Sequence, residues 1–246
     1  HVEAPYARTG LLADRIAASG VKRVTGNLVA DESYFTGKRF GFGWEWNDLQ
    51  WGYGAEVSAL SIGDNVVSLR VVPAAKPGDP CTVTLGAANA YVRATNRTKT
   101  SAKQGLNDLG VYRAEGSNAI DVFGHMPADA MPFEEFVAVH DPAGYFGALL
   151  RDSLARRNVV IEGRTVVADA RAREIAPFPV DKAVELAWVE SEPLSSVVRA
   201  TNKDSQNLFA ELLLRTVGRV AGPATETTSE AAGIKVLLAY LEASGI

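Results

Sequence analysis

A helix followed by a strand is predicted by residues 11–31, LLADRIAASGVKRVTGNLVAD. Four apolar side chains would share one face of this helix: Leu11, Leu12, Ile16 and Ala17. Gly20 stands where the helix should end, because glycine readily adopts the left-handed conformation that closes a helix. A strand is expected to follow from Val21 to Asp31.

A similar helix-and-strand phrase occurs again later in the chain. Residues 149–152 match residues 11–14, and parts of residues 161–169 match parts of residues 24–31, although the offset slips by one residue. If both units belong to one domain, the segment between them must be an insertion or a second lobe. The repeated phrase therefore predicts an α/β unit that is interrupted along the chain.

The segment between the two phrases has the pattern of β-structure. Strands are predicted at Val66–Val72 and Cys81–Leu85, on either side of the turn at Pro77–Pro80. Further strands are expected at Val111–Arg113 and Ile120–Gly124. We expect a small β-rich domain here.

The pattern becomes helical after Asp181. Three stretches have helical apolar spacing: Leu194–Thr201, Leu208–Val217 and Glu230–Ala243. Ser195 is placed to cap the first helix, and Gly218 is placed to end the second. This part of the chain predicts a third, helical unit.

A glycine-interrupted loop at residues 41–53, GFGWEWNDLQWGY, contains three tryptophans. Clustered aromatic rings in a loop can form a platform for a ligand. They can equally fold back over a small core as a lid or a seam between domains, since each large ring needs burial. The sequence leaves both interpretations open.

Composition excludes several classes of function. The 246 residues are 47% hydrophobic and carry a net charge of −4, which favours neither nucleic acid nor an anionic membrane as a partner. No apolar run approaches the roughly 20 residues of a transmembrane helix. The single cysteine, Cys81, excludes an internal disulfide and is expected in the core. With three widely spaced histidines (His1, His125 and His140), neither a metal nor another cofactor is expected.

A polar run at residues 201–207 separates the first two predicted helices and contains Ser205 and Asn207. Both side chains would lie on a short connection at a helix start and could face a cleft. The alternative is a helix N-cap, with Glu211 downstream as part of ordinary helix-start chemistry. Taken alone, the triplet favours the cap.

Longer phrases around this triplet resemble a known family. They occur in order along almost the whole chain: residues 26–35, 43–49, 53–61, 141–163, 191–195 and 202–213. Together they resemble the large penicillin-binding proteins that act as D-alanyl-D-alanine carboxypeptidases and endopeptidases. Several phrases in the right order are far more specific than one three-residue motif.

The resemblance implies an α+β multidomain fold, in which a penicillin-recognising (β-lactamase/transpeptidase-like) domain holds an inserted domain with a further domain nested in it. We expect the α/β inserted domain at residues 1–64 and 138–185 and the β-rich nested domain at residues 65–137. Residues 186–246 would be a helical piece of the catalytic domain. Both chain ends lack polar tails, so we expect an internal segment of a longer protein.

The family's active site has three motifs, Ser-x-x-Lys, Ser-x-Asn and Lys-Thr-Gly. Only the second is in place, as Ser205-Gln206-Asn207. Ser19-Gly20-Val21-Lys22 imitates the first, but it falls at a predicted helix end, whereas the chemistry needs serine and lysine one turn apart on one face. Lys99-Thr100-Ser101 imitates the third, but it precedes Ser205 and is expected in a polar loop.

The implied reaction is attack of a serine on the D-Ala-D-Ala amide, followed by resolution of the acyl-enzyme. By resemblance, Ser205 would relay a proton to the leaving amine, and Asn207 would hold the substrate amide or the catalytic lysine. Asp31 lies in a phrase associated with binding the diamino-acid side chain of the wall peptide, although an exposed turn aspartate is the simpler interpretation. Peptidoglycan stem peptides and β-lactam antibiotics are the expected partners, outside the bacterial cytoplasm.

The chain by itself is expected to be inactive, because the nucleophile's motif is missing. Two other functions remain open. One is a non-catalytic wall-binding or scaffolding protein whose motif has decayed. The other is an unrelated acyl hydrolase with Ser205 as nucleophile, which needs a histidine or lysine base within about 3 Å of Ser205.

Overall fold

The computed structural model describes residues 5–86 and 90–246. Its helices are α1 (Pro5–Ala18), α2 (Pro142–Ala155), α3 (Ala170–Ile175), α4 (Leu194–Lys203), α5 (Asn207–Ala221) and α6 (Ser229–Ala243). Its strands are β1 (Arg23–Val24), β2 (Leu28–Asp31), β3 (Val66–Val72), β4 (Thr82–Leu85), β5 (Arg93–Ser101), β6 (Gly110–Arg113), β7 (Ala119–Pro127), β8 (Phe133–Ala138), β9 (Val160–Ile161) and β10 (Thr165–Ala168). Helices and sheets are both present and largely separate in sequence, as an α+β fold requires.

The two copies of the helix-and-strand phrase pair with each other. Strand β1 is parallel to β9, and β2 is parallel to β10 over four residue pairs, from Leu28 with Thr165 to Asp31 with Ala168. Helices α1 and α2 pack together around a small core that contains Ala13 and Leu150. The two distant chain segments therefore lie side by side, which is the arrangement that an interrupted α/β unit requires.

The predicted strand Val21–Asp31 is wrong in one respect, because a turn divides it into β1 and β2. The Gly26 carbonyl accepts a hydrogen bond from Gly163 N at 3.1 Å, and Asn27 Oδ1 accepts one from Arg164 N at 2.9 Å. The turns of the two copies therefore bond to each other between the two short ladders. Gly20 has a φ of +93°, as expected of the residue that closes α1.

Two three-stranded sheets form the β-rich segment. Strand β3 lies between β4 and β8, all antiparallel, and β7 lies between β5 and β6, with β5 parallel to it. The core between them includes Cys81, 2% exposed, as the sequence predicted. Tyr145 and Leu149 of α2 belong to the same core, so the sheets pack directly on the α/β segment. The domain boundaries stay a prediction.

The expected polar loop at Lys99–Ser101 is wrong. These residues form the end of β5, and Lys99 and Thr100 pair with His125 and Met126 of β7. The strand is rich in threonine and other polar residues and mostly exposed, with Thr98 and Thr100 buried. Apolar alternation could not predict this strand, because most of its residues are polar. Its hydrogen-bond ladder with β7, rather than apolar burial, defines it.

All three predicted C-terminal helices are confirmed, but their predicted ends need two corrections. Ser195 is not the cap of α4, because Pro193 occupies the N-cap position and Ser195 lies in the first turn. Gly218 does not end α5, which continues to Ala221. A Cβ on Gly218 would collide with the Ser229 carbonyl oxygen and lie 2.7 Å from Gly233 N. The glycine is needed for the close crossing of α5 and α6.

Replacing Gly218 by alanine tests this crossing. Alanine is the better helix former, yet the collision with α6 should make Gly218→Ala lower the free energy of unfolding by about 1–3 kcal/mol. Urea unfolding followed by circular dichroism measures it. Gly10→Ala in α1 is the matched control, since its Cβ would lie 3.4 Å from Arg157 Nη2, an ordinary contact. A gain of stability in both variants would contradict the close crossing.

Candidate functional site

Ser205 and Asn207 lie at the connection between α4 and α5. Ser205 is exposed and has a φ of +54°, which places its backbone in the left-handed region. Such a conformation is uncommon for a serine and costs on the order of 1 kcal/mol or more. The turn therefore presents Ser205 to solvent between two helix ends.

The helix-cap interpretation of Ser205 is wrong. The N-cap residue of α5 is Gln206, and no side chain caps this helix. Within residues 5–86 and 90–246, the Ser205 hydroxyl makes no hydrogen bond to another group. Thr228, by contrast, is a true cap, because its side chain accepts a hydrogen bond from Ala231 N at 3.1 Å.

Asn207 is the first residue of α5 and contacts the aromatic loop. Its Nδ2 donates a hydrogen bond of 2.9 Å to the carbonyl oxygen of Tyr53. Tyr53 lies in a short 3-10 helix, Gly52–Gly54. Asn207 is otherwise exposed, and its Oδ1 accepts no hydrogen bond from the described part of the chain. One end of the amide is fixed while the other remains available as an acceptor.

The aromatic loop places its three tryptophans in different surroundings. Trp51 packs against the main core and pairs with Val137, and Trp44 packs edge-on against Phe40 with ring centroids 6.4 Å apart. Trp46 is 78% exposed. Two tryptophans thus fold back against the protein, whereas Trp46 is exposed in the loop that contacts Asn207, and a ligand platform there stays a prediction.

Asp48 organises the turn of this loop. Its Oδ2 accepts a hydrogen bond from Glu45 N at 3.1 Å, and its carbonyl accepts one from Trp51 N at 2.9 Å. Burial and the neighbouring Asp48 carboxylate raise the pKa of the Tyr53 hydroxyl. A Cβ on Gly54 would collide with the Asp48 carbonyl. The backbone that carries the Tyr53 carbonyl is therefore tightly folded.

One face of α5 contacts this part of the chain over three helical turns. The contacting residues are four apart, so their side chains lie in one row. Asn207 donates to Tyr53, Glu211 lies against Gly41, Arg215 donates to the Lys38 carbonyl, and Arg219 lies over the Tyr34 ring at 5.4 Å. Segment 34–53 thus runs along α5 in the direction opposite to the helix.

Arg215 is the buried member of this row, with a side chain that is 2% exposed. Its Nη1 donates to the Lys38 carbonyl at 2.6 Å, and its Nε and Nη2 both lie 3.2 Å from Glu211 Oε2. Glu230 of α6 supplies a second carboxylate at 3.6 Å. A buried guanidinium needs such partners, because an unpaired buried charge is strongly destabilising.

A second arginine, Arg39, whose side chain is partly buried, ties the same segment to the α/β unit. It forms ion pairs with Glu32, with Glu56 at 3.3 Å and with Asp141 at 3.5 Å. Although burial opposes the charge, these carboxylates raise the pKa of Arg39. His140 Nδ1 lies 2.6 Å from Glu56 Oε1 and extends the cluster. Sequence reasoning missed both arginines; the four-residue spacing of Glu211, Arg215 and Arg219 was the one available signal.

Asp31 is the last residue of β2 and is partly buried, so the expectation of an exposed turn aspartate is wrong. Its carboxylate accepts hydrogen bonds from Ser33 N at 3.0 Å and from Arg173 Nε at 2.7 Å. Although desolvation opposes the effect, these bonds lower the pKa of Asp31. Within the described residues, no hydrogen bond or ion pair joins Asp31 to Ser205 or Asn207.

The arrangement around Ser205 gives no support to an independent acyl hydrolase. In the part of the chain that the structure describes, no histidine or lysine is hydrogen-bonded to the Ser205 hydroxyl. Two cavities of about 270 and 370 Å³ lie beside Arg215 and beside Tyr91, and neither is lined by Ser205 or Asn207.

The described residues contain neither a metal-ligating cluster nor a membrane-spanning helix. No group of three or more potential metal-ligating side chains occurs among residues 5–86 and 90–246. Among those same residues, no helix has the length and apolar character to cross a membrane.

Comparison with known proteins identifies relatives over nearly the whole chain. The D-alanyl-D-alanine carboxypeptidase of Actinomadura sp. (strain R39) is 32% identical over 236 residues, and D-alanyl-D-alanine carboxypeptidase DacB of Haemophilus influenzae is 25% identical over 214 residues. These alignments cover 94% and 84% of this chain but only 43% and 41% of the relatives. The chain therefore spans less than half the length of either relative.

The fold is also similar to a solved structure. Penicillin binding protein 4 (dacB) from Haemophilus influenzae matches all of this chain with a TM-score of 0.77, at 22% identity and over 52% of its own length. The same protein complexed with a novel β-lactam matches 97% of this chain and 50% of its own, with a TM-score of 0.66 and 16% identity. The model of the D-Ala-D-Ala carboxypeptidase 3 (S13) family matches residues 8–246. On this match, the chain belongs to the D-Ala-D-Ala carboxypeptidase 3 (S13) family.

Proposed function

We propose that this chain is part of a serine-type D-alanyl-D-alanine carboxypeptidase/endopeptidase that acts on peptidoglycan peptides outside the bacterial cytoplasm. The observation that carries the proposal is the Ser-x-Asn segment itself: Ser205 stands exposed on a left-handed turn, and Asn207 beside it is oriented by the Tyr53 carbonyl. A β-lactam should bind to the same protein, since a solved structure of similar fold is a β-lactam complex.

Ser205 and Asn207 have accessory roles in this proposal. The Ser205 hydroxyl has no partner among the described residues, so it can accept a proton and pass it to a leaving amine. Asn207 keeps its Oδ1 free to accept a hydrogen bond from a substrate amide or from a lysine. The nucleophile would come from a Ser-x-x-Lys motif elsewhere in the protein. Ser19 and Lys22 do not supply it, because both lie beyond the end of α1.

The proposed domain organisation has an α/β domain at residues 1–64 and 138–185 and a β-rich domain nested in it at residues 65–137. Parallel pairing of β1 with β9 and of β2 with β10 supports it, because each pair joins residues from both sides of the nested segment. Residues 186–246 would belong to the catalytic domain. The second candidate, a non-catalytic wall-binding protein, is favoured only by the lack of the other two motifs in this sequence.

Labelling with a fluorescent penicillin tests the function. A longer form of the protein that includes the flanking sequence should become covalently labelled, whereas this chain alone should not. Ser205→Ala in the longer form should slow acylation by about 10²-fold, the usual contribution of a proton-transfer group. A longer form that stays unlabelled would contradict the proposal and favour the wall-binding alternative.

Unfolding experiments on Ser205 variants test whether the Ser205 side chain caps α5. Ser205→Ala should leave the urea midpoint unchanged, and Ser205→Gly should raise the free energy of unfolding by about 0.4–1 kcal/mol, because glycine accepts a positive φ without strain. Thr228→Ala is the matched control and should lose about 1 kcal/mol as a true cap is removed. A similar loss in Ser205→Ala would restore the cap interpretation.

Asp31 remains a proposed contact for the substrate's diamino-acid side chain, but its pairing with Arg173 predicts a contribution to stability. Because its pKa is lowered on folding, the contribution is present above the unfolded value near 3.9 and disappears as pH falls through the folded pKa. Asp31→Asn should therefore reduce the free energy of unfolding by about 0.5–1 kcal/mol at pH 7, and by progressively less as the pH falls below the unfolded value. Equal stability of the two proteins at pH 7 would contradict a stabilising pairing of Asp31 with Arg173.

A further inference from the structure

The hydrogen bond between Asn207 and Tyr53 depends on how segment 34–53 is held against the helical unit. Within the loop, the backbone is folded locally by the bonds from Trp51 N to Asp48 O and from Gly54 N to Trp51 O, both 2.9 Å. These local bonds shape the loop but do not fix its position along α5. That position must come from contacts between the segment and the helices.

Residues 36–38 carry most of those contacts. Thr36 and Ser229 form two hydrogen bonds with each other. Thr36 N donates to Ser229 Oγ at 2.9 Å, and Ser229 N donates to the Thr36 carbonyl at 3.1 Å. Gly37 has a φ of +109°, and a Cβ there would lie 2.9 Å from Thr228 Cβ. Next along the segment, the Lys38 carbonyl accepts from Arg215. The segment is therefore attached to the start of α6 and to the middle of α5.

Among these contacts, the one made by Arg215 involves α5, the helix that begins with Asn207. It lies two turns after Asn207 on the same face, and it donates to a backbone carbonyl of the segment rather than to a side chain. Ion pairs with Glu211 and Glu230 hold its guanidinium rigidly between α5 and α6. A rigid donor on the helix thus fixes a backbone position at the start of the loop that ends at Tyr53.

We propose that Arg215 is a positioning residue of the Ser-x-Asn site. By holding the Lys38 carbonyl against α5, it keeps the loop in the register in which the Tyr53 carbonyl orients the Asn207 amide. The structural part of this inference concerns this chain alone. Its kinetic consequence rests on the proposed function.

Arginine fits this role better than lysine. The guanidinium donates in two directions at once, with Nη1 toward Lys38 and with Nε and Nη2 toward Glu211. A lysine has a single ammonium on a flexible stem and cannot reproduce this fork. Arg215→Lys should therefore keep a positive charge near Glu211 and Glu230 while losing the bond to the segment. The Arg215→Lys variant therefore removes the bond to the Lys38 carbonyl without leaving Glu211 and Glu230 unpaired.

Hydrogen exchange on this chain tests the structural part. In Arg215→Lys, the amides of Trp51, Gly54 and Val57 should exchange about 10-fold faster or more, because the loop opens more often. Arg151→Lys is the matched control. Arg151 also donates three hydrogen bonds, to the Thr165 hydroxyl and to the Ile161 and Gly163 carbonyls, but all lie in the α/β unit.

In the control, exchange should rise only around residues 160–168. Unchanged exchange at residues 51–57 in Arg215→Lys, in a variant that still folds, would overturn the proposal. So would equal increases in both variants, because they would indicate general loosening of the chain rather than loss of one contact.

Acylation of the longer protein by penicillin tests the kinetic consequence. Arg215→Lys should lower the second-order acylation rate constant about 10-fold, as expected for a slightly misplaced group. In an Asn207→Ala background, the same change should have no further effect, since Arg215 would act through Asn207. Independent, multiplicative losses would overturn positioning through Asn207. If the wild-type longer form is not acylated, the proposed function fails, while the exchange experiment still decides the positioning role on this chain.

Discussion

The row of side chains on α5, Asn207, Glu211, Arg215 and Arg219, is the constraint on which the rest of the arrangement depends. Because the four residues are spaced one turn apart, a single helix face both carries part of the Ser-x-Asn segment and holds segment 34–53. The same side of α5 also crosses α6 closely at Gly218, and Arg215 in the row lies 3.6 Å from Glu230 of α6. A shift of α5 would therefore disturb its contacts with α6 and with segment 34–53 together.

Two arginines, the buried Arg215 and the partly buried Arg39, hold this segment from two sides. Arg215 holds segment 34–41 from the helical side, and Arg39 holds it from the α/β side through Glu32, Glu56 and Asp141. Buried ion pairs contribute little net stability but strongly penalise the loss of any one partner. They therefore favour one arrangement of segment 34–53 over its alternatives.

Much of the fold could be predicted from local patterns, because apolar spacing and turn residues act over a few positions. Helices α5 and α6, the central strand β3 and the two helix-and-strand phrases follow from such patterns. The wrong predictions concern residues whose structure depends on contacts with distant parts of the chain. At Gly218 a glycine stands inside a helix, because α6 crosses there too closely for a side chain. Residues Lys99–Ser101 form a strand because they pair with β7. Similarly, the partner of Arg215 is a backbone carbonyl, which leaves no trace in sequence.

In the proposed function, Ser205 assists acyl transfer without being acylated itself. Peptide mapping by mass spectrometry, after the longer protein has reacted with penicillin, tests it most directly. We predict one penicilloyl group per molecule on a serine outside residues 1–246, with Ser205 unmodified in every digest. A penicilloyl group on Ser205 would contradict the account, because it would make this serine the nucleophile and the site a different kind of catalyst.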